Sequence, residues 1–241
     1  MAYAVISDVH ANFEALRAVL RDIRDRGIRD ICFLGDAVGY GPDPNECVEL
    51  LRKECKILLA GNHDYGAAGL LSADFFNPYA LEALIWTTRV MSRENLRAVK
   101  ALPVMLELGA ENITLAHSSP FEPDLWHYIF SAADADANFG HFKTPLCFVG
   151  HSHVPLIFEK HVSGEIALRR GKAVVQSGNR YIINTGSVGQ PRDRDARASY
   201  AVIEGERIDI VRVSYDIKAT QRRMTDTGLP NLLITRLSLG I

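Results

Sequence analysis

Five short apolar runs in this chain stop abruptly at side chains with acidic, amide or imidazole chemistry. That punctuation limits the possible folds more than any other feature. Ala4-Val5-Ile6 leads to Asp8-Val9-His10, Ile31-Cys32-Phe33-Leu34 to Gly35-Asp36, and Ile57-Leu58-Leu59-Ala60 to Gly61-Asn62-His63-Asp64. Further on, Ile113 to Ala116 meets His117, and Leu146-Cys147-Phe148-Val149 meets Gly150-His151-Ser152-His153. Short apolar runs bounded by turn residues predict buried strands. Glycine before Asp36, Asn62 and His151 is expected to let the backbone turn sharply there.

The segments between the first runs are helical in pattern. Asn12 is placed to cap a helix whose apolar positions are Phe13, Leu16, Val19, Leu20 and Ile23, and Gly27 ends it. The loop from Gly39 to Pro44 leads into a second helix that runs to about Glu54. This β-α-β-α-β opening is the pattern of a layered α/β domain with parallel strands. Residues 67–101 read as helical, with starts at Asn77-Pro78 and Ser92, and Val104 to Leu108 as a strand. Residues 119–145 are irregular or short-helical. The second half turns to short strands at 155–159, 165–169, 173–176, 180–184, 199–204 and 207–213, then returns to helix from about Asp216. No repeat or linker divides the chain, so one domain is expected over residues 1–241.

Composition narrows the setting. With 241 residues, 47% hydrophobic and 23% charged, the chain buries roughly 70–75% of its unfolded surface and needs no disulfide staples. A net charge of −2 argues against a general nucleic-acid binder. It does not exclude nucleic acid, because a metal site attracts phosphate without a basic surface. Cys32, Cys47, Cys55 and Cys147 form no C-x-x-C pair, which favours reduced thiols and a cytoplasmic setting. No basic leader and no apolar stretch of membrane-spanning length are present, so no membrane partner is expected.

In open α/β sheets, ligands bind in the crevice outside the carboxyl ends of the strands. Five strand ends would therefore deliver Asp8, His10, Asp36, Asn62, His117, His151 and His153 to one rim. This oxygen and nitrogen donor set, without cysteine, suits Mn, Fe, Zn, Co or Ni better than an all-oxygen Ca or Mg site. Seven ligands are too many for one catalytic metal with an open position. Two divalent cations sharing one carboxylate are the natural solution. Taken singly, a strand-end Asp is usually a cap or turn former, and a lone His117 is usually structural. The ordered series carries the argument.

That ordered series resembles the signature of the calcineurin-like metallophosphoesterase superfamily, from residue 3 to about residue 215. The segments GDAVGYGPDPNECVELL and NTGSVGQPRDRDARASYAV are similar to a branch of small stand-alone prokaryotic phosphodiesterase-like members. The resemblance implies a four-layer α/β/β/α sandwich of two mixed sheets flanked by helices. It implies that Asp8, His10, Asp36 and His153 hold one metal and that Asp36, Asn62, His117 and His151 hold the other, with Asp36 bridging. His63 would face the substrate phosphate, and Asp64 would orient its ring. The chain departs from the family pattern at Ala11 and Arg194, where glycine is frequent, and at Thr185 and Ala196, where proline is common.

The reaction expected of such a site is hydrolysis of a phosphodiester in a small or nucleotide-like substrate, by a hydroxide held between the two cations. A phosphomonoesterase, a protein phosphatase, a nuclease and a scaffold that has lost catalysis are the alternatives. Phe121, Trp126 and Tyr128, which follow His117, would either stack on a base or cover the sheet. Arg192, Arg194 and Arg197 would either clamp phosphate or remain solvated among Asp193 and Asp195.

Overall fold

The computed structural model describes residues 2–241. In chain order the first half contains β1 (Ala2–Ile6), α1 (Phe13–Asp25), β2 (Asp30–Phe33), α2 (Pro44–Glu54), β3 (Ile57–Leu58), α3 (Asn62–Ala67), α4 (Pro78–Val90), α5 (Arg93–Lys100), β4 (Met105–Leu108) and β5 (Ile113–Ala116). The second half contains α6 (Ala132–Phe139), β6 (Leu146–Val149), β7 (Leu156–Lys160), β8 (Ile166–Arg169), β9 (Lys172–Val174), β10 (Arg180–Asn184), β11 (Ala198–Glu204), β12 (Arg207–Val213), α7 (Ile217–Asp226) and α8 (Asn231–Leu239).

The strands form two six-stranded sheets, ordered β3-β2-β1-β11-β12-β9 and β4-β5-β6-β10-β7-β8. Both are mixed. In the first, β1, β2 and β3 are parallel while β11 runs antiparallel to β1. In the second, β5, β6 and β10 are parallel while β4 and β7 run the other way.

Period-two alternation sets the layers. On β1, Val5 joins Leu34, Leu115, Phe148 and Ile183 in a cluster between the sheets. Ala4 and Ile6 point the other way, against Leu16, Val19, Leu20 and Ile23 of α1 and Val48 and Leu51 of α2. On β6, Phe148 faces the first sheet, while Cys147 and Val149 pack against Phe139 of α6. The result is the expected α/β/β/α sandwich. Each large aliphatic side chain buried in these layers contributes about 1.5–3 kcal/mol.

The chain enters α1 as its sequence predicts. The Asn12 side chain accepts a hydrogen bond from Ala15 N–H at 3.2 Å, which satisfies one of the orphan donors of the first turn. Two boundaries differ from expectation. β3 is short, and the residues after it are helical: Asn62, His63 and Asp64 open α3 and do not continue an extended strand. No described helix is long and apolar enough to cross a membrane.

Candidate metal centre

The carboxyl ends of β1, β2, β5 and β6, with the start of α3, converge on one buried cluster. Asp8, His10, Asp36, Asn62, His117, His151 and His153 are all buried. Five of these seven residues hold positive φ: Asp8 at 54°, His10 at 48°, Asp36 at 58°, His151 at 62° and His153 at 60°. Such backbone is uncommon for residues other than glycine and costs about 1–3 kcal/mol each. The strained turns bend each strand end so that its side chain faces the crevice. Ala11 (φ 51°) and Arg194 (φ 67°) also sit in this region, which explains why glycine suits those two positions.

Two groups of donor atoms share Asp36. In the first, His10 Nε2 lies 3.1 Å from His153 Nε2, 3.8 Å from Asp8 Oδ1 and 3.6 Å from Asp36 Oδ2, and His153 Nε2 lies 3.2 Å from Asp8 Oδ1. In the second, His117 Nε2 lies 3.5 Å from Asp36 Oδ2 and 3.3 Å from Asn62 Oδ1. One donor atom from each of Asp36, His117 and His151 falls within a 4.8 Å span.

The imidazoles are oriented from behind. His10 Nδ1 donates to Val38 O at 3.1 Å, His117 Nδ1 to Leu34 O at 3.1 Å and His153 Nδ1 to Gln190 O at 2.6 Å. These bonds turn each Nε2 toward the cluster, the orientation that metal-ligating histidines require. Asp8 Oδ1 and His151 Nε2 are buried without a hydrogen-bond partner. Buried polar atoms are rarely left so, and a cation satisfies both. The donor set therefore fits divalent metal.

Electrostatics agree. Burial lowers the pKa of His10, and burial with the Arg192 charge lowers that of His153, so both rings are neutral at pH 7. Burial, with His117 beside it, takes His151 down to about 3. His117 is the exception. Burial opposes its charge, but Asp36 overrides it and raises the ring to about 9. In return, His117 holds the Asp36 carboxyl well below the usual carboxylate range although burial opposes that charge.

All three glycines serve by leaving space, and a Cβ on Gly35 would stand 2.5 Å from Gly61 N. Gly35 has the positive φ expected of a sharp turn, 115°, whereas Gly61 and Gly150 do not. A Cβ on Gly61 would stand 2.1 Å from Asp36 Oδ1, and one on Gly150 would stand 2.5 Å from Asp8 Oδ2. The carboxylates lie directly against this bare backbone.

His63 and Asp64 are both buried beside the cluster, but their relationship differs from expectation. The Asp64 carboxylate accepts the N–H groups of Asp36 at 2.8 Å, Val38 at 3.2 Å and Gly61 at 3.0 Å. It fixes the turn that presents Asp36 and makes no bond to the His63 ring. His63 Nδ1 has no partner and packs against Gly39, whose Cβ would lie 2.4 Å from it. Nor is the protonated ring favoured: burial takes His63 down to about 4. One ring nitrogen of His63 also lies within 4.8 Å of donor atoms of His10 and Asp36.

Sequence reasoning missed several supporting groups. Asn184, at the end of β10, donates to Gly150 O at 2.7 Å and Ser152 Oγ at 2.9 Å, which shapes the His151–His153 turn. Its strand-end position was the available signal. Ser187 Oγ donates to Asp8 O at 2.7 Å. Trp126 is buried with its ring 5.9 Å from His117, whereas Tyr128 stacks on His151 at 4.2 Å and is 48% exposed. Phe76 meets His63 at 5.1 Å, and its neighbour Phe75 is 56% exposed. Aromatic walls thus rise at two places around a cavity of about 80 Å³ that reaches Asp36, Asn62, His63 and His151.

The sequence matches the family model of the calcineurin-like phosphoesterase superfamily domain over residues 1–207. The chain belongs to that superfamily. Among curated proteins, it is 44% identical to the uncharacterized protein MJ0912 of Methanocaldococcus jannaschii, over 98% of this chain and 97% of that one. The fold superposes on a metallophosphoesterase from Sphaerobacter thermophilus with a TM-score of 0.88 and 47% identity, covering 100% of this chain and 99% of the other. The hypothetical protein PH1004 of Pyrococcus horikoshii shares the fold at a TM-score of 0.80 and 21% identity, covering 100% and 98%. The superfamily consists of divalent-metal-dependent hydrolases of phosphate esters, and the Asp and His clusters described above are the chain's candidate metal ligands.

Proposed function

We propose that this protein is a two-metal phosphodiesterase acting on a small or nucleotide-like substrate. The observation that carries the reading is the Asp36 carboxylate between two sets of inward-facing donors, 3.6 Å from His10 Nε2 and 3.5 Å from His117 Nε2. Asp8, His10, Asp36 and His153 would hold one cation. Asp36, Asn62, His117 and His151 would hold the other. When bound, such a pair supplies charge neutralisation at the phosphoryl oxygens and a water acidified enough to attack at neutral pH. Mn, Fe, Zn, Co and Ni all suit these donors.

The chain's own groups then position the ester. Asp64 keeps the Asp36 turn in place through three main-chain bonds. His63 contacts the phosphoryl group or the departing oxygen from the first turn of α3, and Asp64 supports it only through the backbone. Phe75 and the Tyr128–Phe130 stack (5.3 Å between rings) offer two separate platforms. That suits an ester with two organic substituents, and an aromatic base is a natural occupant of either. The four cysteines are free and buried, which supports a reducing, cytoplasmic setting for this chemistry.

The test is turnover of bis-p-nitrophenyl phosphate and p-nitrophenyl phosphate with Mn, Ni, Co or Mg and after chelation. The proposal expects metal-dependent cleavage that favours the diester. Absence of a metal-dependent rate at any pH from about 6 to 9, where metal-bound water ionises, would reject it. A preference for the monoester would reject the diester assignment alone.

A further inference from the structure

The three arginines of the 192–197 loop have different environments. Arg197 is exposed and pairs with Asp195, and Arg194 is exposed. Asp193 pairs with Arg212 of β12. Arg192 alone of the three turns toward the metal ligands and lines the same small cavity as Asp36, His63, His151 and His153.

Its placement is built from both sides. Gln190 is buried; its main-chain oxygen accepts from His153 Nδ1 at 2.6 Å, and its Oε1 accepts from Arg192 Nη2 at 2.9 Å. The Arg192 main-chain N–H donates to His153 O at 3.2 Å. The guanidinium lies over the Tyr40 ring, 5.8 Å from its centroid, and Nη2 is 3.4 Å from the Tyr40 hydroxyl. The Tyr40 ring in turn lies 4.4 Å from that of His63. Among the described residues no carboxylate pairs with Arg192, and its Nε is buried without a hydrogen-bond partner. A partly buried, uncompensated cation is costly, and a planar guanidinium fork matches phosphate oxygens. The cavity of about 80 Å³ has room for a phosphoryl group, while the organic substituents must lie outside it.

We propose that Arg192 is a substrate-binding residue that grips a non-bridging oxygen of the phosphoryl group, held in position by Gln190 and Tyr40. The inference rests on the phosphoesterase reading above and adds to it the side chain that selects a tetrahedral oxyanion. The gripped oxygen is present in monoesters, diesters and inorganic phosphate alike, so phosphate itself serves as the probe.

The experiment measures inorganic phosphate binding to the Mn-loaded protein by calorimetry, with manganese content determined in parallel. Arg192→Met should weaken phosphate by about 10–100-fold, the loss expected for one charge-assisted contact, with manganese content unchanged. Added guanidinium should restore part of that loss. Arg192→Lys, which keeps the charge and the stem, should lose less and covers the case in which the Met variant folds poorly. Arg194→Met and Arg197→Met should bind phosphate like the wild type. Phosphate affinity within roughly twofold of wild type in both Arg192 variants would overturn the proposal. So would a loss that follows lost manganese. If the wild type itself shows neither manganese-dependent phosphate binding nor ester turnover, the phosphoesterase reading fails and Arg192 falls with it.

Discussion

Nε2 of His10 and Nε2 of His153 face each other at 3.1 Å although 143 positions separate them in the chain. Each ring donates its Nδ1–H to a main-chain carbonyl, and both are held neutral. Two lone pairs so opposed repel, and a divalent cation held by His10 and His153 would relieve that repulsion. Asp36 Oδ2 lies 3.6 Å from His10 Nε2 and 3.5 Å from His117 Nε2, the position the proposed bridge requires.

Asp36→Asn is expected to weaken both cations together by removing the shared charge. His117→Ala should weaken one and leave the other close to wild type. Manganese titration by calorimetry distinguishes them, because losses confined to a single site in both variants contradict a bridge.

His117 gives metal loading a pH signature. Its folded pKa of about 9 lies above the ordinary histidine value, so the ring is protonated at pH 7 and must lose that proton to bind. Loading should release about one proton from this residue, and affinity at its site should rise by up to about tenfold per pH unit before levelling above pH 9. Calorimetry in buffers of different ionisation enthalpy measures the release. His117→Ala should abolish it, and equal release from both proteins would show that the proton comes from elsewhere.

His63→Gln should leave metal content unchanged. Burial holds the ring at about 4 in the free protein, so turnover slows in a leaving-group-dependent way only where the bound phosphoryl anion raises that pKa and protonates the ring. Esters of p-nitrophenol need little protonation and should lose least. Alkyl or ribose esters should lose more, up to roughly 10²–10⁴-fold. Parallel slopes of kcat/KM against leaving-group pKa for both proteins would assign His63 to charge stabilisation and not to proton donation.

Arg194, exposed at φ 67°, is a strained position outside the metal cluster. Arg194→Gly should raise stability by about 0.5–1 kcal/mol, the strain of left-handed backbone less the added chain entropy of glycine. A lower urea midpoint for the variant would show that the Arg194 side chain makes a contribution larger than this strain.

The parts of the fold legible in the sequence were those where burial imposes a period. The alternation of β1 and the spacing of Leu16, Val19, Leu20 and Ile23 placed a strand and a helix, and the strand-end ligands followed from the apolar runs. α3 was not legible. Its six residues (Asn62–Ala67) have no room for an apolar period, and Asn62 looked like the end of β3. The expectation that Asp64 orients the His63 ring comes from the family resemblance, whereas the first turn of α3 aims the Asp64 carboxylate at the N–H groups of Asp36, Val38 and Gly61. Sequence gave no basis for choosing among Arg192, Arg194 and Arg197 either, because loop curvature and the pairing of Asp193 and Asp195 decide which guanidinium turns inward.

The most direct test of the account is the metal content of the wild-type protein after saturation with manganese and removal of excess, measured by elemental analysis beside Asp36→Asn. The two-metal site predicts about two ions per chain in the wild type and a clear fall in the variant. A wild-type ratio that saturates near one, or an Asp36→Asn protein that retains the full complement, would contradict it.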